Sequence, residues 1–289
     1  MKIAYLASRK TLPGSPERLV DAFEHDHMME ALGAAFASAG MEITDISWDD
    51  PSANWADFDG AIIGTTWDYW DRHEEFLSAL DAIDRETKLF NPAALVRWNI
   101  DKTYLRDLEQ KGVRLIPTLW LDTANEETVS AGFDTLATDD IVCKRQVGAG
   151  ADGQHRLKRG DQVPDMPHAM MVQPFLSTIQ SEGEYSFIFI DGDLSHVLIK
   201  RAADGDYRIQ SLYGGKEEAV TPEPEDLAAA EAVIVMLDEA PLYARVDMVR
   251  GPDGKLLLME LEMIEPYLYP LQGPDLGARL AAALKKRLA

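Results

Sequence analysis

Apolar and polar positions along this chain switch between strand and helix periods. Ile3 to Ala7 is a short apolar run, followed by a loop with Pro13, Gly14 and Pro16. Residues 18–39 carry apolar side chains at helical spacing (Leu19, Phe23, Met28, Leu32, Ala35, Phe36), and Gly40 stops the helix. Residues 41–47 alternate as a strand, 59–64 are apolar enough for a strand buried on both faces, 74–84 are helical, and 88–90 form a strand ending at Asn91-Pro92. This order predicts an α/β unit with a mostly parallel sheet. No Gly-x-Gly-x-x-Gly follows the first strand, so no dinucleotide site is expected there.

A second unit begins near Trp98. The pattern predicts helices over 101–111 and 125–136 and strands over 113–121, 141–144, 168–176, 184–190 and 194–201. Pro117 marks the first of these strands as an edge or bulge. A further strand is expected over 206–212, a helix over 225–238 behind Pro222 and Pro224, and a terminal helix over 276–288. This half reads as α+β with an antiparallel sheet. Between 144 and 153 lies a flexible turn, Gln146-Val-Gly148-Ala-Gly150-Ala-Asp-Gly153, directly after Lys144.

The chain is organised around a hairpin near its end. Tyr243-Ala-Arg245-Val-Asp247 and Leu256-Leu-Leu-Met-Glu260-Leu-Glu262 flank the turn Gly251-Pro-Asp-Gly254. Residues two apart share a strand face, so Glu260 and Glu262 point one way, as do Arg245 and Asp247. A four-residue loop would pair Arg250 with Lys255 and place Arg245 opposite Glu260, with Asp247 two residues off on the same face. Burying an unpaired carboxylate costs several kcal/mol. Either these acids face water on an edge hairpin, or cations neutralise them. An all-oxygen donor set suits Mg²⁺, which shares its sites with substrate phosphates.

Composition narrows the function classes. The 289 residues carry 50 acidic and 28 basic side chains, a net charge of −22, which argues against nucleic acid or an anionic membrane as partner. A single cysteine, Cys143, rules out an internal disulfide and fits a reducing compartment. No segment has the length of a bilayer span or the pattern of a signal peptide, so a cytoplasmic protein is expected. The six histidines lack the company of metal ligands, and structural or surface roles are expected for them. The stretch Gly64-Thr-Thr-Trp67-Asp68-Tyr69-Trp70-Asp71-Arg72 follows a buried strand, where open α/β sheets place ligands. It reads either as a grip for a small polar molecule or as an aromatic plug against the next domain.

The order of these parts resembles the ATP-grasp superfamily, on the glutathione synthetase and D-alanine–D-alanine ligase side. The parts are Lys102 before a short helix, Lys144 before the glycine loop, Val172-Gln173-Pro-Phe-Leu176, Gly183-Glu184-Tyr-Ser-Phe187, Arg245-Val-Asp247 and Met259-Glu260-Leu-Glu262. The wording around Tyr207-Arg208-Ile-Gln and Met259-Glu-Leu-Glu-Met-Ile-Glu-Pro266 is closest to the ATP-grasp ligase of the D-cycloserine pathway, which closes a ring within one substrate. The resemblance implies a Rossmann-like pre-ATP-grasp domain over 1–95 and two α+β grasp subdomains over 96–171 and 172–289. It implies that Lys102 and Lys144 hold ATP phosphates, with the loop of Gly148, Gly150 and Gly153 closing over them. Gln173 and Leu176 would meet the adenine and Glu184 the ribose. Asp247, Glu260 and Glu262 would carry two Mg²⁺ ions, and Arg245, with Arg201 or Arg208, would face the phosphoryl group or the carboxylate. The family commonly has Asn at the position of Glu262. It also has a small-residue run where this chain has Glu265-Pro-Tyr-Leu-Tyr269.

The implied activity is ATP- and Mg²⁺-dependent joining of a small carboxylate to an amine, or ring closure within one substrate, through an acylphosphate, with a homodimer as the family's common assembly. A carboxylate is a poor acyl donor until phosphorylation supplies phosphate as leaving group. Two other readings stand beside it: a catalytically silent ATP-binding regulator, and an unrelated small-molecule-binding protein whose acidic hairpin is merely solvated. Mg-ATP at a hundred times its Kd should stabilise the fold by about 2.7 kcal/mol. A thermal-shift titration checks this, and an unmoved melting temperature would favour the solvated hairpin.

Overall fold

The computed structural model describes residues 1–148, 150, 152–202 and 214–289. Its first sheet is parallel, in the order β2-β1-β3-β4, built from β1 (Lys2–Ala7), β2 (Glu42–Ser47), β3 (Gly60–Ile63) and β4 (Leu89–Phe90). Alternation along β1 divides its side chains between two helices. Ile3, Tyr5 and Ala7 pack with Met28, Leu32 and Phe36 of α1 (Phe23–Ser38), whereas Ala4 and Leu6 pack with Phe76, Leu80 and Ile83 of α2 (His73–Glu86). The helix predicted from Arg18 begins five residues later, at Phe23.

The chain passes through α3 (Ala93–Asn99) and α4 (Tyr104–Gln110) into a second sheet, ordered β5-β8-β6-β7. Its strands are β5 (Leu119–Leu121), β6 (Asp140–Arg145), β7 (His155–Lys158) and β8 (Met170–Pro174), with α5 (Glu126–Thr135) between β5 and β6. The strand predicted from Val113 shrinks to three residues. Pro117 has no N–H to give a ladder, and the backbone before it turns to another sheet, where Arg114 O accepts from Leu258 N at 2.9 Å. The boundary placed between 171 and 172 falls inside β8, which belongs to this second sheet.

The third sheet is antiparallel, in the order β11-β10-β9-β12-β13. After α6 (Thr178–Ser181) come β9 (Glu184–Ile190), β10 (Asp193–Arg201), β11 (Lys216–Ala219), α7 (Pro224–Val235), β12 (Tyr243–Arg250) and β13 (Leu256–Glu262). The strand expected over 206–212 lies outside the described residues. One face of this sheet, carrying Phe187, Ala244, Val246 and Met248, packs with α7 and α4. The opposite face is apolar at one end (Ile188, Ile190, Leu198, Tyr243) and charged at the other (Glu184, Lys200, Arg245, Asp247).

Two devices lock the first sheet to the third. Buried Asn91 donates to the carbonyls of Tyr243 (2.9 Å) and Met263 (2.8 Å) and accepts from Leu242 N (2.8 Å). The terminal helix α8 (Leu276–Leu288) lies against α1, and its Leu276, Leu280 and Leu284 join the core built on β1. The contact depends on Gly277, where an added Cβ would stand 2.5 Å from Ala31 O and 2.8 Å from Ala35 Cβ. Gly277→Ala should therefore destabilise the protein by about 1–3 kcal/mol through overpacking, although alanine is the better helix former by up to about 1 kcal/mol. Urea unfolding measures this; a gain in stability would show that α8 is not seated on α1.

Candidate functional site

The charged end of the third sheet opens into a cavity of about 350 Å³ bounded by all three sheets. Trp67 and Trp70 come from the loop after β3, Lys144 and Gly148 from the end of β6, and Glu184, Lys200, Arg245, Asp247, Glu260 and Glu262 from the third sheet. The hairpin does not keep its predicted register. The loop holds five residues, so Arg250 faces Leu256, and a bulge between Asp247 and Met248 shifts the ladder once more. Asp247 therefore stands opposite Glu260, and Arg245 opposite Glu262. Two one-residue shifts restore the parity of the faces, so all four side chains share one face.

Cations are interleaved with the buried acids. Arg245 Nε lies 2.9 Å from Asp247 Oδ2, its NH2 group pairs with Glu262, and its NH1 group donates to Tyr267 O at 3.1 Å. Lys200 pairs with Glu184 and reaches Asp247 Oδ1 at 3.2 Å. Ser186 also donates to Asp247. Burial works to raise the Asp247 pKa, but Arg245, Lys200 and the Ser186 hydroxyl together hold it below the ordinary value. Glu184 is raised, chiefly by burial, against the pull of Lys200. Glu262 is raised by burial and by the neighbouring acids, with Arg245 opposing. Glu265, three residues on, is pushed up to about 7 by burial.

Lys102 spans the gap between glycine loop and hairpin. Its Nζ donates to Gly148 O at 2.5 Å and stands 2.9 Å from Glu260 Oε1. Burial disfavours its charge, but Glu260, Glu262 and Glu265 more than offset this and raise its pKa. Lys144 differs. Among the described residues it has no hydrogen-bond or ion-pair partner, and burial lowers its pKa. Glu260, Glu184 and Asp247 oppose that shift without pairing with it. A desolvated ammonium without an ion-pair partner, facing a cavity, is half of an anion site.

The residues expected at one site do not all meet there. Arg201 is corrected: it is exposed at the end of β10 and pairs with Glu218 at 2.8 Å, while Lys200, its neighbour on the opposite face, enters the cavity. Arg208 lies outside the described residues. Gly148 and Gly150 line the cavity; Gly153 does not, and sits against the Arg145 side chain. Gln173 donates to Thr118 Oγ1 at 3.0 Å, and Leu176 packs against Ile116, Val249 and Leu257, both outside this cavity's lining. The loop after β3 is divided. Arg72 is held by Asp49, Asp68 and Glu75 and lies 4.5 Å above the Trp48 ring, so it serves the fold. Its Trp67 and Trp70 face the cavity. His25 is a structural residue, bonded to Thr65 (2.6 Å) and Asp45 (3.0 Å). Sequence reasoning missed Lys200 and Glu265; the departure from the small-residue run at 265–269 was the available signal for the second.

Residues 3–91 match the family model described as "D-cycloserine synthetase DcsG, N-terminal domain". The "Cycloserine biosynthesis protein DcsG" of Streptomyces lavendulae is 30% identical over 283 residues, spanning 91% of this chain and 94% of that protein. The chain belongs to the DcsG family of ATP-grasp ligases. The crystal structure of D-cycloserine synthetase DcsG superposes over the whole of both chains with a TM-score of 0.85 at 25% identity. The ATP-grasp ligase PsnB, solved with its minimal precursor, Mg and ADP, superposes with a TM-score of 0.65 at 15% identity, over 99% of this chain and 97% of that one. The ATP-grasp fold implied by the ordered motifs is thus the fold found. No helix among the described residues is long and apolar enough to cross a membrane.

The donor set can be tested for Mg²⁺. Asp247, Glu260 and Glu262 offer only oxygen, on one face. As they stand, no three carboxylates among the described residues gather into a metal cluster, because lysine and arginine hold them apart. The cavity as a whole remains acidic: nine carboxylates and five cations line it among the described residues. A polyphosphate entering so acidic a space needs accompanying cations, and oxygen donors suit Mg²⁺. The residues fit the metal in chemistry. Lys144→Met should leave the unfolding free energy within about 1 kcal/mol of wild type or raise it, since no ion pair is broken. Calorimetric titration should show Mg-ATP binding at least about tenfold weaker, roughly 1.4 kcal/mol. A large loss of stability with unaltered affinity would contradict this reading of Lys144.

Proposed function

We propose that this protein is an ATP- and Mg²⁺-dependent ligase that activates a small amino-acid carboxylate as an acylphosphate and closes it onto nitrogen within the same molecule. The observation that carries the proposal is a Lys144 without an ion-pair partner facing a carboxylate-bearing hairpin across one cavity. Lys102 and Lys144 would bind the phosphates, with the glycine loop closing over them to exclude water. Gln173 and Leu176, where the chain leaves the second sheet, would meet the adenine, and Glu184 the ribose. Asp247, Glu260 and Glu262 would hold two Mg²⁺ ions, which when bound neutralise charge on the phosphates and the transferred phosphoryl group. Arg245 commits Nε and one N–H of each terminal nitrogen to Asp247, Tyr267 O and Glu262. Two of its five N–H groups stay available for an anionic oxygen of the substrate or the tetrahedral intermediate.

Ring closure within one substrate is favoured by Tyr267 and Tyr269. Their rings lie 4.6 Å apart, edge to face, at the cavity wall where peptide-forming relatives have small residues. They narrow the room for a second amino acid. The D-cycloserine synthetase similarity agrees with this. Breaking the ring C–N bond of D-cycloserine yields β-aminooxy-D-alanine, a carboxylate and a nitrogen nucleophile in one small molecule. With this compound and Mg-ATP, ADP, phosphate and cyclic product should form in equal amounts. Glu260→Gln should lower turnover at least about 100-fold, the upper range for loss of a metal-site partner. Normal turnover by that variant, or tight ATP binding with no ADP from any carboxylate, would count against a ligase.

A further inference from the structure

We infer that Glu265 is the proton acceptor for the attacking nitrogen, presented by the aromatic loop that follows β3. This rests on the ligase reading above and adds a catalytic residue to it. Five carboxylates form the inner lining of the cavity beside Arg245: Glu184, Asp247, Glu260, Glu262 and Glu265. The first four are each in an ion pair with Lys200, Arg245 or Lys102. Glu265 is buried at 8% exposure, yet among the described residues no cation stands at ion-pair distance, and Lys102 acts on it only from farther off. The Tyr69 hydroxyl, a neutral group, works against burial to lower its pKa. A buried carboxylate without a cation at ion-pair distance keeps its basicity, where a paired arginine would suppress it.

Glu265 is also fixed in place. Its backbone carbonyl accepts from Trp67 Nε1 at 3.3 Å, and the two residues before it are clamped through Met263 O to Asn91 and Ile264 O to Tyr243. Trp67 thus holds this residue by its backbone, and Tyr69 of the same loop acts on its side chain. The loop singled out in the sequence as an aromatic grip or a plug has a definite task in this scheme. Glu217, which faces Lys200 across the β10–β11 ladder, is half-buried on the edge strand, where water can reach it.

The step balances without a further reagent. As the nitrogen attacks the acylphosphate carbon, the C–N bond forms and the bond from that carbon to phosphate oxygen breaks, its electron pair leaving with phosphate. One N–H proton passes to Glu265 and then to the departing phosphate, which leaves as hydrogen phosphate and restores the carboxylate.

Glu265→Gln keeps an acceptor for Tyr69 and removes only the capacity to take a proton. The experiment incubates wild type and variant with β-aminooxy-D-alanine and Mg-ATP, with and without excess hydroxylamine to trap the acylphosphate as its hydroxamate. The variant should lose at least about 100-fold in cyclic product, the low end for a general base, while ADP and hydroxamate formation in the trap stay within about threefold of wild type. Unchanged cyclic product would overturn the inference. So would an equal fall in hydroxamate and product, which would place Glu265 in substrate binding or phosphoryl transfer. Failure of the wild type itself to form either hydroxamate or product would overturn the ligase reading, and the inference with it.

Discussion

Buried Asp247 and half-buried Glu260 and Glu262 share one face of β12 and β13, and a cation stands beside each of them. Arg245 carries most of this: one guanidinium touches Asp247, Glu262 and the Tyr267 carbonyl. Lys200 closes the set on the other flank through Asp247 and Glu184. Removing a single partner would leave a charge uncompensated, a loss on the order of 3–5 kcal/mol for a buried pair. The same pairing holds the Asp247 carboxyl below its ordinary range, which suits a metal ligand. Lys144 is the exception, a cation lining the same cavity with no ion-pair partner among the described residues.

The clamps around the hairpin tie this cluster to the rest of the molecule. Asn99 and the Tyr104 hydroxyl cap the free edge of β13 by binding Leu261, while Asn91 and Tyr243 join the end of the hairpin to the first sheet. Apolar side chains on the same sheet face run from Ile188 and Leu198 into the core shared by α1 and α8. A site assembled from three sheets is therefore held to one geometry by packing at one end of a sheet and by hydrogen bonds at its edge. Such rigidity suits a ligase, whose phosphoryl acceptor and nitrogen nucleophile must be held in place together.

Much of this was legible in the sequence because it follows from periodicity. Strand alternation alone puts Glu260 with Glu262 and Arg245 with Asp247, and β9 and α8 begin and end where their patterns do. The choice between Lys200 and Arg201 was not legible, since alternation says that only one can face the site and not which. The register failed for a similar reason: the bulge at Asp247 adds a residue without any Gly or Pro to announce it. Glu265 was hidden more deeply. Its meaning depends on Trp67 and Tyr69, nearly 200 residues away in sequence, and on the absence of a cation, which no local pattern can encode.

Passage through an acylphosphate leaves an isotopic trace that does not depend on knowing which side chain does what. With the carboxylate of β-aminooxy-D-alanine labelled in both oxygens with ¹⁸O, turnover with Mg-ATP should transfer one labelled oxygen to each inorganic phosphate released, seen as a shifted ³¹P resonance. Phosphate released alongside product without label would mean that the carboxylate is never phosphorylated, and would contradict the assignment of this cavity to acyl activation.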